Sequence, residues 1–287
     1  MRLVLISDTH RRHADLVVPS GDVLIHAGDF SGSGTRAQVR DAAAFIRALP
    51  HRHKIVIAGN HDRCLELDPA LGALLFEGCH YLFDGGVTID GTRFWGSPWQ
   101  PWFLDWAFNL KRGEALREKW ALIPEGTDVL ITHGPPAGVL DLVFDGSRAG
   151  CADLRAAVHR VRPQLHVFGH IHEGYGVHEE EETRYVNASS CTLAYVASNP
   201  AIIVDVLPRA ALTGNAGTCQ SCATSYASGT GNATFPDEKW FIVQAFQHPV
   251  GTHGGESGMT GTAQCKSCGG RALFSCSDGP GYTFSGH

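Results

Sequence analysis

Asp, Asn and His recur in this 287-residue chain just past short apolar runs, and that placement is where chemistry first shows. Leu3-Val4-Leu5-Ile6 leads into Asp8 and His10, Val23-Leu24-Ile25 into Asp29, and Lys54-Ile55-Val56-Ile57-Ala58 into Asn60, His61 and Asp62. Val129-Leu130-Ile131 leads into His133, and Leu165-His166-Val167-Phe168 into His170 and His172. Oxygen and imidazole donors of this kind suit manganese, iron, zinc, cobalt or nickel rather than calcium or an iron–sulfur cluster. In Asp8-x-His10 and His170-x-His172 a spacing of two puts both side chains on one side of extended backbone, so each pair can share an ion. Asp8, His10, Asp29, Asn60, His133, His170 and His172 are too many donors for one ion. They suit two ions that share a bridging carboxylate. Any single pair reads as an ordinary surface or core pair; the whole series, each member after an apolar run, points to a metal centre.

The elements that carry these donors follow from the same runs. Short β-branched stretches predict buried strands, and the donors then fall on loops past strand carboxyl ends, where α/β sheets place their chemistry. Thr35 is the expected N-cap of a helix over 36–49, because Val39, Ala42, Ala43, Phe45, Ile46 and Leu49 keep helical spacing up to Pro50. Further helices are expected over 65–76, 113–122 and 153–161, and strands over 184–187 and 201–207. Residues 87–90 and 92–96, joined through Asp90-Gly91, read as a hairpin. The four glutamates at 179–182 read as its solvated counterpart, a polar hairpin tip. The aromatic segment 95–108 is either a proline-braced loop packed on the core or a wall of a substrate pocket, two readings that are compatible. Trp99 and Trp102 are its candidate substrate contacts.

Composition narrows the function classes. Apolar residues make up 43% of the chain, enough for a full core, and a net charge of −6 gives no basic footprint for long nucleic acids. No apolar run approaches the roughly 20 residues of a membrane span, and Met1-Arg2 runs straight into a strand rather than a signal segment, so a cytoplasmic chain without membrane contact is expected. Among the 9 cysteines, Cys64, Cys79, Cys151 and Cys191 lack paired spacing and read as free thiols. From about residue 209 Gly, Ser, Thr and Ala dominate, which sets a domain over 1–208 apart from an extension over 209–287. There Cys219-x-x-Cys222 and Cys265-x-x-Cys268 form two knuckles suited to structural zinc, with disulfides or an unstructured tail as the alternatives.

The series Asp8-x-His10, Gly28-Asp29, Gly59-Asn60-His61-Asp62, Thr132-His133-Gly134 and Gly169-His170-Ile171-His172 resembles the motif series of calcineurin-like metallophosphoesterases. Within that superfamily KIVIAGNH, WGSPWQPWF, LIPEG, THGPP and RPQLHVFGHIHEGYG resemble the MPPED group, related to the class III cyclic-nucleotide phosphodiesterases, over roughly residues 1–208. The resemblance implies an α/β fold, an αββα sandwich of two mixed sheets flanked by helices. It implies that Asp8, His10 and His172 hold one divalent ion and Asn60, His133 and His170 a second, with Asp29 bridging and Mn²⁺ foremost among the metals. His61 would stand near the substrate phosphate as a catalytic residue, with Asp62 beside it. The implied reaction is hydrolysis of a small phosphodiester, a 2′,3′- or 3′,5′-cyclic nucleotide, through attack on phosphorus by a hydroxide bridging the two ions. A small-molecule phosphoester is therefore the expected partner, and a homo-oligomer is compatible with it. The alternatives are a broad phosphomonoesterase or nuclease, and a catalytically weak nucleotide-binding scaffold. Two departures bear on these. Some animal members carry Gly where this chain has His170, so the His here speaks for a competent enzyme, and members often carry Glu where this chain has Asp62.

Overall fold

The structure is a computed structural model that describes residues 1–207 in full and the backbone of 240–248, 258–265 and 271–277. Met1–Leu207 forms one compact unit. In chain order its strands are β1 (Arg2–Ile6), β2 (Val23–His26), β3 (His53–Val56), β4 (His80–Tyr81), β5 (Gly85–Ile89), β6 (Thr92–Ser97), β7 (Gln100–Pro101), β8 (Asn109–Leu110), β9 (Val129–Thr132), β10 (Leu165–Phe168), β11 (Gly176–Glu180), β12 (Thr183–Asn187) and β13 (Ile202–Asp205). Its helices are α1 (Arg36–Ala48), α2 (Arg63–Leu67), α3 (Pro69–Leu75), α4 (Glu114–Ala121) and α5 (Ala152–Val161).

Two sheets carry the unit. One has five strands in the order β13-β1-β2-β3-β4, the other six in the order β11-β12-β10-β9-β6-β5. Strands β1 to β4 pair in parallel, as do β12, β10, β9 and β6; β13, β11 and β5 add antiparallel edges. Every donor run therefore ends on a parallel strand, and within each sheet the carboxyl ends face the same way. The alternation of side chains explains why the runs are apolar throughout. Leu3, Leu5, Val23, Ile25, Ile55 and Ile57 face Val129, Ile131, Leu165, Val167 and Val186 in a core shared by both sheets. Val4, Ile6, Leu24 and Val56 point the other way, onto Val39, Ala42, Ala43 and Ile46 of α1 and Leu71 of α3. On the far sheet Leu130, Phe168 and Tyr185 meet Leu116 and Trp120 of α4 and Leu154, Ala157 and Val158 of α5. Strands covered on both faces need apolar residues at every position, not alternate ones. The result is the four-layer αββα sandwich.

Helix α1 starts as expected, with Thr35 accepting from the Gln38 amide. The helix expected over 65–76 is two helices, α2 and α3, broken at Asp68. Pro69 excludes Asp68 from helical backbone, and Asp68 sits at φ −141°, ψ 85°. The glutamates of 179–182 are not all at a solvated tip. Glu179 and Glu180 belong to β11 and pair with Arg184 and Arg155. Cys64, Cys79, Cys151 and Cys191 are free thiols. Among the described residues no helix is long and apolar enough to cross a membrane.

Beyond Leu207, β14 (Trp240–His248), β15 (Gly258–Cys265) and β16 (Arg271–Ser277) form an antiparallel three-stranded sheet in chain order. The zinc knuckles fall outside what is described: Cys219, Cys222 and Cys268 lie among the other residues, and of Cys265 only the backbone is described.

The two sheets meet closely where β1 and β10 end. A Cβ on Gly169 would collide with Asp8 Oδ2 and Ser7 Oγ. Overpacking of this kind typically costs ~1–3 kcal/mol, which for a unit this size lowers the melting temperature by about 2–12 °C. Gly169→Ala is expected to melt earlier by that margin, while Gly85→Ala, where the added Cβ meets nothing nearer than the Phe83 carbonyl at 3.6 Å, melts as the native protein does. Thermal denaturation followed by circular dichroism compares them.

Candidate metal centre

The loops past the parallel strands are tied to one another by backbone hydrogen bonds that prolong the pairing of β1 with β2. The amides of Asp8, His10 and Arg11 donate to the carbonyls of Gly28 (2.9 Å), Asp29 (3.0 Å) and Phe30 (3.1 Å). Asp8, His10, Arg11, Asp29 and His170 all adopt positive φ, between 40° and 67°. Five non-glycine residues in that sparsely populated region mark a surface shaped against local preference, as functional sites often are. Gly28 turns the chain at φ +101°, and a Cβ there would stand 2.7 Å from His133 Nδ1 and 2.8 Å from the Ala58 carbonyl. Only glycine fits.

Three clusters of donor atoms result, each with its members within 4.8 Å of one another. The first is Asp8, His10 and His172; the second is Asp29, His133 and His170; the third, His10, Asp29 and His61, lies between them in membership. In the first, His10 Nε2 stands 3.2 Å from His172 Nε2 and 3.8 Å from Asp8 Oδ1, and His172 Nε2 stands 3.4 Å from Asp8 Oδ1. His172 Nδ1 donates to the Thr192 carbonyl at 3.0 Å, so in the neutral ring Nε2 carries the lone pair. Asp8 Oδ1 is buried without any hydrogen-bond partner. In the second cluster His133 Nδ1 donates to the Ala27 carbonyl at 3.0 Å, which turns its Nε2 lone pair toward Asn60 Oδ1 (2.8 Å) and Asp29 Oδ2 (3.4 Å). Acceptors this close repel one another unless a proton or a metal cation stands between them. These residues fit two divalent ions, and Asp29, within reach of His10 (3.9 Å), His61 (3.9 Å) and His133, is the carboxylate common to both sides.

Titration tells the same story in another form. Burial works against charge on Asp8 and Asp29, yet their histidine neighbours hold both carboxyls below the usual range. Burial also disfavours a charged His133, but Asp29 raises it to about 9. His172 is raised too, burial notwithstanding, by Asp8. His170, buried beside His133, is pushed down to about 3. A proton on His133 thus offsets the charge of Asp29 when no other cation does, and Asp8 favours one on His172 in the same way.

Asp62 is fully buried and accepts from the amides of Asp29 (2.9 Å), Gly59 (2.9 Å) and Ser31 (3.1 Å) and from the Ser31 hydroxyl (2.7 Å). Burial and then Asp29 push its pKa up to about 7, against the pull of those donors. Its carboxylate joins the loop after β2 to the loop after β3 and makes no contact with the His61 ring. The geometry is that of a positioning residue, not of a catalytic partner beside His61. The backbone amide of His61 donates to Asp29 Oδ1 at 2.7 Å, and its Nδ1 to the Gly32 carbonyl at 2.7 Å, leaving Nε2 toward the cleft.

A cavity of about 580 Å³ opens over His10 and His61. Arg11, Arg12 and Gly32 form one part of its wall and Trp106 and Tyr195 another. Trp106 stacks on His61 at 4.0 Å between ring centres, and Tyr195 sets its edge on His10 at 4.8 Å. Trp99 is elsewhere: its Nε1 donates to Asp84 at 2.9 Å, and its ring packs on Phe83 and Phe108 under the Lys119 ammonium. Trp102 is 60% exposed and outside the cavity wall, although its neighbour Phe103 touches His170. The aromatic segment is thus divided, with Trp99 packed on the core and Trp106 lining the cavity. Sequence reasoning also passed over the end of β12 and the segment that follows it. There Ser189 Oγ donates to Asp8 Oδ2 at 3.1 Å, Asn187 Nδ2 to the Ile171 carbonyl at 2.8 Å, and Thr192 orients His172. The signal was present, since Tyr185-Val186 is a further apolar run ending in polar residues.

Two outcomes follow. At about pH 7.5 His133 is protonated in the ion-free protein, because its pKa lies at about 9, whereas a ligating imidazole must be neutral. Metal binding is therefore expected to release protons and to tighten as pH rises toward about 9; calorimetry in buffers of different ionisation enthalpy counts them. Asp62→Asn turns an accepting oxygen into an NH₂ facing backbone N–H groups, at a cost of ~1–3 kcal/mol. Its melting temperature and its metal affinity should both fall, whereas a direct catalytic role would cost turnover alone.

Residues 1–207 match the calcineurin-like phosphoesterase superfamily domain. The chain is 48% identical over 230 residues to metallophosphoesterase domain-containing protein 1 of Homo sapiens, covering 71% of each. It is 40% identical over 205 residues to a UPF0046 protein of Caenorhabditis elegans, covering 67% of this chain and 70% of that one. A solved archaeal phosphodiesterase overlaps 72% of this chain and 94% of its own at 17% identity and a TM-score of 0.38, too distant to carry an argument. The chain belongs to the calcineurin-like phosphoesterase superfamily, within the metallophosphoesterase-domain-containing (MPPED) group, and is a metal-dependent phosphoester hydrolase.

Proposed function

We propose that this chain hydrolyses small phosphodiesters, cyclic nucleotides foremost, at a centre of two divalent ions with Mn²⁺ as the working metal. The observation that carries the reading is the set of three donor clusters built from buried Asp8 and Asp29 with five histidines, of which His10 and His61 reach a cavity that Trp106 and Tyr195 also line. Asp8, His10 and His172 would hold one ion and Asn60, His133 and His170 the other, with Asp29 between them. Such ions, when bound, supply an activated water and neutralise charge on the phosphoryl oxygens.

The chain's own residues do the remainder. His61 holds its ring by two contacts, the Nδ1 bond to the Gly32 carbonyl and the stack on Trp106, so that Nε2 is presented to the cavity at a fixed angle. An imidazolium there delivers a proton to the leaving oxygen and takes one back when the ring resets. Asp29 Oδ1 fixes the His61 backbone, so the acid and the bridging carboxylate keep their relative position. Trp106 and Tyr195 present ring faces and edges suited to a nucleobase. The cavity is small for a long nucleic acid and wide enough for a mononucleotide, and the chain's net charge of −6 favours the small substrate. The action would take place in the cytoplasm, and a homo-oligomer is compatible with it.

His61→Ala is expected to lose about 10²- to 10⁴-fold in kcat while mass spectrometry still finds two ions per chain. Loss of an ion would make His61 a ligand instead. Rates on 2′,3′- and 3′,5′-cyclic AMP, bis-p-nitrophenyl phosphate, p-nitrophenyl phosphate and single-stranded DNA choose among the substrate classes. Cyclic AMP should be turned over, and faster turnover of the monoester or the DNA would replace the reading.

A further inference from the structure

One cation in the cavity wall has no role in the chemistry above. Arg11 follows directly on His10, and its backbone is held at φ +67° with the amide bonded to the Phe30 carbonyl. The Arg11 side chain is exposed and passes over Gly32, where an added Cβ would meet Arg11 Cδ at 3.5 Å. Among the described residues no carboxylate pairs with the guanidinium. Its neighbour Arg12 differs, since Arg12 stands 3.9 Å from Asp15 in a solvent-exposed pair. An unpaired guanidinium facing a cavity, in a chain of net charge −6, is a local reversal of sign. Guanidinium groups bind phosphate through paired N–H donors in a planar fork, a geometry no other side chain offers.

We infer that Arg11 is a specificity-determining residue that holds a second phosphate of the substrate, separate from the phosphorus under attack. On that reading the scissile phosphate would meet the cavity's His10 side, where Asp8, His10, Asp29, Asn60, His133, His170 and His172 would hold two ions that answer its charge. Arg11 stands on the wall next to His10, on the same cavity as Trp106 and Tyr195. A nucleotide with its base against those rings and its reacting phosphate on the floor leaves this wall for a further anionic group. Substrates that carry an extra phosphate on the ribose are thereby preferred over those with one phosphate alone. The inference rests on the nucleotide reading above and adds the substrate's second charge to it.

Calorimetric titration of the metal-loaded protein with 5′-AMP and with adenosine 3′,5′-bisphosphate tests it, in the native protein, Arg11→Gln and Arg11→Lys. The bisphosphate is expected to bind roughly tenfold more tightly than AMP to the native protein. Arg11→Gln brings the ratio close to one and Arg11→Lys keeps most of it. Equal weakening of both ligands in Arg11→Gln overturns the inference, because Arg11 then holds the phosphate they share. A ratio that is near one in the native protein, or that survives in Arg11→Gln, overturns it too. Turnover of 2′,3′-cyclic AMP by the native protein, measured alongside, separates the two readings. No turnover with an Arg11-dependent ratio sinks the cyclic-nucleotide reading and leaves Arg11 as the second-phosphate site. Turnover without such a ratio does the reverse, and failure of both nucleotides to bind sinks both.

Discussion

Carboxylates, an amide oxygen and imidazole nitrogens are crowded together where the two sheets of this protein meet, close enough to need a proton or another cation between them, and the surrounding structure keeps them there. His10 Nε2, His172 Nε2 and Asp8 Oδ1 form one such group, and His133 Nε2, Asn60 Oδ1 and Asp29 Oδ2 another. Burying a carboxylate oxygen without a partner, as at Asp8, is among the more expensive arrangements a protein interior can contain. It is tolerated where a cation completes it. The raised pKa values of His133 and His172 show the same demand, met by protons.

Holding repelling groups together takes rigidity from several directions. Parallel strands covered on both faces by packed side chains provide a base that cannot tilt, and their carboxyl ends deliver each donor to within a few ångströms of the next. Past the strands, the backbone bonds from Asp8, His10 and Arg11 to Gly28, Asp29 and Phe30 continue the ladder through residues at positive φ. Asp62 then ties this double loop to the one after β3 through three donors, the Asp29 and Ser31 amides and the Ser31 hydroxyl. From the other sheet, Gly169 permits Ser7 and Asp8 to approach β10, and Ser189 and Thr192 anchor Asp8 and His172. The strain at positive φ is therefore offset by a dense set of main-chain bonds, which is why it persists in the folded state.

Above the ligands the character of the surface changes. His61 is oriented by the Gly32 carbonyl and the Trp106 indole, with Asp29 Oδ2 3.9 Å from its Nε2. The indole also belongs to the cavity wall, so the residue that would steer the proton and the one that would face the substrate are packed as a pair. Tyr195 plays the matching part over His10, from a loop whose neighbouring Thr192 fixes His172. Cavity wall and donor support thus share the same short segments.

The apolar runs and the donors after them determined most of this protein by themselves. Runs without polar interruption meant buried strands, and polar residues just past them meant loops at carboxyl ends, so the α/β class and the donor residues could be named from the chain, while the αββα layering came with the resemblance of the motif series. The motif series was legible for the same reason, since each motif is local. What spacing could not decide was which segments meet across the sheets. The break at Asp68 was written in Pro69, yet the roles of Trp99 and Trp106, both in one aromatic stretch, depended on which side of a loop faces Asp84 and which faces His61. Asp62 read as a neighbour of His61 in the chain, but its side chain turns to the amides of another loop. Ser189 and Thr192 came to the centre only through the register of β12 on β10. Sequence fixes which groups are available and on which kind of element; contacts between segments more than a hundred residues apart are set by packing, which only the folded chain displays.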